Sequence, residues 1–205
     1  MMQAFSSQRY DRLSDQYDRS HARWLRHEGG EAQCAFEGAA TALMRPDLSM
    51  LDVACGTGAT IRRLIASAGA PSDLMLLDAS QRMLDRCADL PGGRVKGLMQ
   101  RLPFRADRFD LVTCAWGIET LDHPDPALAE LVRVTRPGGH ICLVFCAERP
   151  VRTIWGYGLT RRIAAAGLGR FLDAGRIQRG LARLGAADIR VLHCTGPAAA
   201  LLARV

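Results

Sequence analysis

Two acids and two glycines stand where a nucleoside-bearing cofactor could be held. Asp52 lies in the apolar run Leu51-Asp52-Val53-Ala54, and Cys55-Gly56-Thr57-Gly58 follows it. The glycines allow a sharp turn with no side chain in the way, so backbone N–H groups can face a ligand. Ile61-Arg62-Arg63-Leu64-Ile65 then places apolar residues at helical spacing. A second apolar run, Asp73 to Asp78, ends in another acid twenty residues past Gly58. A carboxylate there can accept two hydrogen bonds from ribose hydroxyls, as it does in dinucleotide folds. Ala59, Thr60 and Ile61 follow Gly58, however, so the third glycine of a dinucleotide fingerprint is missing. Asp52, four residues before Gly56, suits a cofactor with a cationic amino group better than a pyrophosphate. The plain alternative is a tight turn that only joins strand to helix.

The elements that must position these residues alternate between strand and helix. Residues 5–27, from Phe5 through Tyr10-Asp11-Arg12-Leu13 and Tyr17-Asp18 to Trp24-Leu25, read as one or two short helices before the core. On a continuous helix Tyr10 and Tyr17 would share a face, either packing on the domain or closing over a ligand. An Ala-rich helix over 31–45 ends at Pro46 and leads into a first strand at about 49–54. Ser80 is a plausible cap for a helix that begins after Asp78. Arg94 to Leu98 is a weak third strand, and Phe109 to Cys114 is a fourth. A helix over Asp125–Thr135 precedes a turn at Arg136-Pro137-Gly138-Gly139-His140 and a strand over Ile141–Phe145. The chain closes with a helix near 173–184, a strand over Asp188–Cys194, a Gly196-Pro197 turn and Ala198–Val205.

At 205 residues the chain is long enough for one domain with a real core. Hydrophobic residues at 48% and charged residues at 23% describe an ordinary globular protein. A net charge of +6, carried almost wholly by Arg, permits an acidic substrate or a membrane surface without demanding either. Seven cysteines make an odd number without framework spacing, and no C-x-x-C occurs, so neither zinc nor a redox pair is expected. Cys114, Cys142, Cys146 and Cys194 sit in apolar, strand-like runs, as reduced core thiols would. The N-terminus has no apolar signal region and no 18-residue apolar run exists, which points to a cytoplasmic protein.

The run from Asp52 to Gly58 resembles motif I of the class I S-adenosylmethionine (SAM)-dependent methyltransferases, usually acid-x-Gly-x-Gly-x-Gly. Ala54 replaces the first glycine, a mild departure in size. Asp78-Ala79-Ser80 with Met83-Leu84 resembles the family's second acidic run, in which Met83 would lie against adenine. Leu102-Pro103-Phe104, followed by Phe109-Asp110 and Val112, resembles the ubiquinone/menaquinone-type group, as does the Arg-Pro-Gly-Gly turn. The Tyr10-Asp11 and Tyr17-Asp18 pairs look like the segment that closes the site in many small-molecule methyltransferases. The resemblance implies an α/β fold: a Rossmann-like three-layer sandwich on a seven-stranded, mostly parallel sheet with an antiparallel last strand. It also implies one domain over 1–205. The parts are a helical lid at 1–45, a SAM-binding core at 46–147, an acceptor-side insert at 148–172, and a closing helix and hairpin at 173–205. The implied cofactor residues are Asp52, Ala54, Cys55, Gly56, Gly58, Asp78, Ala79, Met83 and Ala115. Relatives bind the adenine amino group with an acid at the position held here by Leu98, so Met99 or Gln100 would have to substitute.

The sulfonium of SAM makes its methyl group electrophilic, so the protein must hold an acceptor in line and, for some acceptors, supply a base. The loop after the fourth strand should face that methyl, because ligands bind outside the carboxyl ends of the strands. Glu119 and His123 in this loop, with Tyr17 from the lid, are the catalytic candidates. Glu119 stands where relatives often carry a His, His123 could equally be a surface histidine, and Trp116 reads as a pocket wall. No Asn/Asp-Pro-Pro-aromatic run, Pro-Cys pair or separate basic–aromatic module points to nucleic acid, so a small molecule is the expected acceptor. Residues 148–170 carry Arg149, Arg152, Arg161, Arg162 and Arg170 with Trp155 and Tyr157, and no acid lies between Glu148 and Asp173. Such an insert suits an anionic acceptor or a lipid headgroup, or else is a solvated basic face. The alternatives are therefore a phospholipid or quinone methyltransferase at a membrane surface and a non-catalytic SAM-binding module.

Overall fold

The computed structural model describes residues 10–11, 16–148, 158, 161 and 170–205. Phe5, Arg12, Leu13 and the insert positions Arg149, Arg152, Trp155, Tyr157 and Arg162 lie outside the described residues. Strand β1 (Ser49–Val53) is buried along its whole length and forms the middle of the sheet. It pairs in parallel with β2 (Asp73–Asp78) on one side and β4 (Phe109–Ala115) on the other. Strand β3 (Gly93–Lys96) adds to β2, and β5 (Thr135–Cys146) adds to β4, both parallel. The closing hairpin, β6 (Ala187–His193) and β7 (Ala198–Arg204), joins through β7, which runs antiparallel to both β5 and β6. The order is β3-β2-β1-β4-β5-β7-β6, so chain progression reverses between β1 and β4. A crevice opens outside the strand ends at such a reversal.

Alternation along the strands divides the core into two layers. Met50, Leu76, Leu111, Cys142 and Val144 face helices α1 (Gly30–Leu43) and α2 (Ala59–Ala68), together with Leu84 of α3 (Gln81–Asp85). Their neighbours Leu51, Leu77, Val112, Ile141 and Leu143 face α4 (Asp125–Val134) and α5 (Ala174–Arg183). The three-layer sandwich with a reversed last strand is therefore present. Among the described residues no helix is long and apolar enough to cross a membrane.

Two stretches depart from the expected elements. Residues 16–24 are helical and run through a π-helical segment, Leu25–Gly29, directly into α1, with no break near residue 27. Glycines at 29 and 30 permit this. A Cβ on Gly29 would stand 2.4 Å from the Trp24 indole nitrogen, and one on Gly30 would stand 2.5 Å from the Leu25 carbonyl oxygen. The expected Arg136–His140 turn is instead absorbed into β5. The register against β4 shifts between Thr135 and His140, and Gly138 takes φ +81°. Cys114, Cys142 and Cys146 are buried as expected, but Cys194 lies just past β6 and is only partly buried.

Candidate active site

The turn after β1 is built from backbone conformations that side chains resist. Ala54, Gly56 and Gly58 take φ +57°, +56° and +79°. For the two glycines this costs little, whereas at Ala54 it carries roughly 1 kcal/mol of strain. The Ala-for-Gly departure is thus one of backbone conformation more than of size. The Gly56 N–H donates to Asp78 Oδ2 at 2.8 Å, and the Ser80 N–H donates to Asp78 Oδ1 at 2.8 Å. Burial raises the Asp78 pKa, while the Ser80, Gly56 and Ala79 N–H bonds oppose that rise. Ser80 also caps α3 by accepting from the Met83 N–H, as its type and place predict.

These groups floor a cleft of about 690 Å³, its open mouth included. Eight of the expected residues line it together: Tyr17, Ala54, Gly56, Asp78, Ala79, Met83, Met99 and Gln100. Leu98, 40% exposed, forms part of the same wall at the position of the missing acid. The loop after β4 contributes Trp116, Gly117, Thr120 and Leu121. Tyr10, Leu77, Ser80 and Gly97 also line the cleft. Of these, Gly97 and Leu77 meet the ligand side only through tertiary folding, and no local signal marks them.

Four expected cofactor residues stand behind this lining. Asp52 is buried, and its Oδ1 accepts from Thr113 Oγ1 at 2.6 Å. Burial pushes its pKa up to about 7, against the Thr113 hydrogen bond, and the nearby Asp78 adds to the rise. Cys55 sends its side chain behind the turn towards the Gly56 carbonyl. Gly58 packs inward, where a Cβ would stand 2.5 Å from Leu90. Ala115 ends β4 outside the cleft lining.

The three catalytic candidates separate. Tyr17 lines the cleft, and its ring stacks on His21 at 5.6 Å, with His21 in turn edge-on to Trp116 at 5.9 Å. Burial raises the Tyr17 phenol well above its ordinary range, and negative charge at Tyr10, Glu119 and Asp78 adds to this. Burial and then Arg63 lower His21 to about 4, so its ring is neutral in this stack. Glu119 is buried on the 3₁₀ turn Ile118–Thr120. Its Oε1 accepts from the Cys146 N–H at 3.4 Å, while its Oε2 has no hydrogen-bond partner among the described residues. Burial pushes this carboxyl up to about 7. His123 is exposed and lies outside the cleft lining.

The lid pattern acquires a physical sense that its sequence alone does not convey. In each Tyr-Asp pair the tyrosine lines the cleft while the aspartate ties down to a cleft-forming element. Asp11 accepts from the Ser80 hydroxyl and the Arg82 N–H at the start of α3. Asp18 accepts from Thr57 Oγ1 at 2.6 Å within the glycine turn and pairs with Arg86 at 3.5 Å. Among the described residues no cluster of His, Cys, Asp and Glu could hold a metal ion.

Comparison with known proteins agrees with this geometry. Residues 51–143 match the model of a methyltransferase domain. The ubiquinone/menaquinone biosynthesis C-methyltransferase UbiE of Burkholderia cenocepacia is 34% identical over 117 residues, 51% of this chain and 46% of that protein. The chain thus spans about half the length of the relatives that it matches. A SAM-dependent methyltransferase of Thermotoga maritima, described as a possible histamine N-methyltransferase, superposes with a TM-score of 0.74 at 16% identity, covering 97% of this chain and 99% of that one. The [4+2]-cyclase SpnF superposes with a TM-score of 0.70 at 16% identity, covering 97% and 94%. The matched stretch therefore resembles a methyltransferase domain, and the strand order, with the glycine turn set at the sheet's reversal, gives the chain the fold of these SAM-dependent methyltransferases.

Proposed function

We propose that the chain transfers the methyl group of SAM to a small-molecule acceptor by in-line displacement. The observation that carries this reading is the convergence of Gly56, Asp78, Met83 and Met99 on one cleft at the β1/β4 reversal. These residues fit SAM: a Cβ at Gly56 would meet only Tyr17, at 3.9 Å, so a ligand can approach the backbone closely. Asp78 would take the ribose hydroxyls, Met83, Met99 and Ala79 would enclose the adenine, and the Gln100 side chain would replace the missing acid. The bound cofactor supplies an electrophilic methyl group. Tyr17, Trp116, Thr120 and Leu121 would form the acceptor side and exclude water. Glu119, with a pKa near neutrality but buried outside the cleft lining, would accept a proton from the acceptor only if its turn moved. His123, exposed on the same loop, would serve only if the loop moved. Residues 1–205 act in this reading as one domain in the cytoplasm, with the lid, core, insert and closing hairpin as its parts.

A quinone acceptor at a membrane surface is a narrower reading. It is favoured by the ubiquinone/menaquinone C-methyltransferases among the relatives and by the arginine-rich sequence of the insert. The test of the cofactor site is calorimetric titration with S-adenosylhomocysteine. The wild type is expected to bind, and Asp78→Ala is expected to bind at least about tenfold more weakly, the loss of charge-assisted hydrogen bonds. Equal affinity in the two proteins would remove Asp78 from the site.

A further inference from the structure

Cys55 in the glycine turn and Cys87 just past α3 are distant in sequence, yet their sulfur atoms converge on one carbonyl oxygen. Cys87 Sγ lies 3.4 Å and Cys55 Sγ 3.8 Å from the Gly56 oxygen, so the two thiols share one acceptor. A Cβ on Gly58 would stand 3.0 Å from Cys87 Sγ, so this sulfur presses on the second glycine as well. Gly56 lines the cleft, which puts the pair directly behind the wall that would face the cofactor. Cys87 is fully buried, while Cys55 keeps 8% exposure, so an oxidant would have to enter past Cys55. Methyl transfer has no use for either thiol.

The two sulfurs are not equivalent. The Cys55 S–H stabilises negative charge on Cys87 and so lowers the Cys87 pKa against its burial, and the Arg62 guanidinium adds to that. Burial pushes the Cys114, Cys142 and Cys146 thiols up, away from the reactive thiolate form.

We propose that Cys55 and Cys87 are a reversible disulfide site through which peroxide controls the cofactor turn. The Cys87 thiolate attacks one peroxide oxygen: an S–O bond forms, the O–O bond breaks, and the second oxygen leaves as hydroxide, which takes up the proton that Cys87 released on ionising and becomes water. The Cys55 thiolate, having released its proton, attacks the resulting sulfenic sulfur. The S–S bond forms, the S–O bond breaks, and the released hydroxide takes up that proton as a second water. Two thiols are oxidised by two electrons, and one peroxide is reduced to two waters. A disulfide carries no S–H, so both sulfurs lose their hydrogen bonds to the Gly56 oxygen as they close to about 2.0 Å. The Gly56 N–H is the group that binds Asp78 at 2.8 Å, so closing the disulfide displaces the cofactor wall.

The inference rests on the reading of the cleft as a SAM site. The full chain would be treated with hydrogen peroxide, its unreduced peptides mapped by mass spectrometry, and S-adenosylhomocysteine titrated by calorimetry before oxidation, after it, and after dithiothreitol. A Cys55–Cys87 linked peptide is expected, with affinity weakened roughly tenfold or more, as for a binding wall displaced by about 1 Å. Both changes should reverse on reduction. Cys87→Ala should bind like the reduced wild type and ignore peroxide, whereas Cys34→Ser, at an exposed thiol, should respond as the wild type does. No linked peptide, a linked peptide with unchanged affinity, or a Cys87→Ala protein that still loses affinity would each overturn the proposal. Failure of the reduced wild type to bind would instead contradict the cofactor reading, since the disulfide is judged on the peptides.

Discussion

At the residue scale, Ala54 and Gly117 constrain each other across the ends of β1 and β4. Ala54 holds φ +57°, and a Cβ on Gly117 would stand 2.6 Å from the Ala54 Cβ and 2.9 Å from Cys114 Sγ. Gly117→Ala should therefore destabilise the fold by roughly 1–3 kcal/mol, and Ala54→Gly in the same chain should recover part of that loss, with Cys114 still in the way. Urea midpoints of the two single variants and the double variant measure this, and strict additivity would contradict the contact. Glu119 makes a pH-dependent contribution. Burial raises its pKa from the ordinary 4.5 to about 7, so the protonated carboxyl stabilises the fold at low pH, and that stabilisation is lost as pH rises through about 7. Between about pH 5 and about pH 8 the wild type should lose roughly 1–3 kcal/mol more than Glu119→Gln does. The same pH dependence in both proteins would show that the carboxyl is not desolvated. That Asp78, Gly56 and Met83 share one cleft was legible from sequence because their spacing is local. The placing of Asp52 and Cys55 behind the turn was not, since adjacent residues of a strand end point to opposite sides.

At the element scale, Gln33 ties α1 to the loop after β4. Its Oε1 accepts from the Trp116 indole N–H, and its Nε2 donates to Glu37 Oε1 at 2.6 Å and to Thr60 Oγ1 at 3.4 Å. Trp116 itself holds φ +56°, an unusual conformation for a bulky residue, with Trp24 edge-on at 5.8 Å. Gln33→Leu should strand the buried indole N–H at a cost of roughly 1–3 kcal/mol, and much of that cost should vanish in a Trp116→Phe background. A full cost in both backgrounds would mean that the bond carries no stability. Helix α4 and strands β1, β2 and β4 were legible because each carries its own apolar pattern together with an acid. The joined helix through Leu25–Gly29 was not, because its glycines serve contacts with Trp24 and Trp116 that only the fold creates. Pro137-Gly138-Gly139 likewise reads as a turn, yet backbone hydrogen bonds between Gly138, Gly139 and Val205, just past β7, draw it into β5.

At the scale of the molecule, strand order places the glycine turn, the second acid and the β4 loop around one crevice, and that arrangement was implied by the order of motifs along the chain. The acceptor was not, because no residue pattern in the sequence is specific to one acceptor. A shared fold does not fix a reaction either, as a cyclase with the same architecture shows. The decisive measurement follows the methyl group itself. The purified protein would be incubated with methyl-labelled SAM and an extract of its source cell, and the products divided between chloroform and water. Protein-dependent label in an extracted small molecule is the predicted result, abolished in Asp78→Ala. Label in chloroform would identify a quinone or lipid acceptor, and label in water a soluble one. No transfer to either phase by a protein that binds S-adenosylhomocysteine would contradict the account and leave a SAM-binding module without turnover.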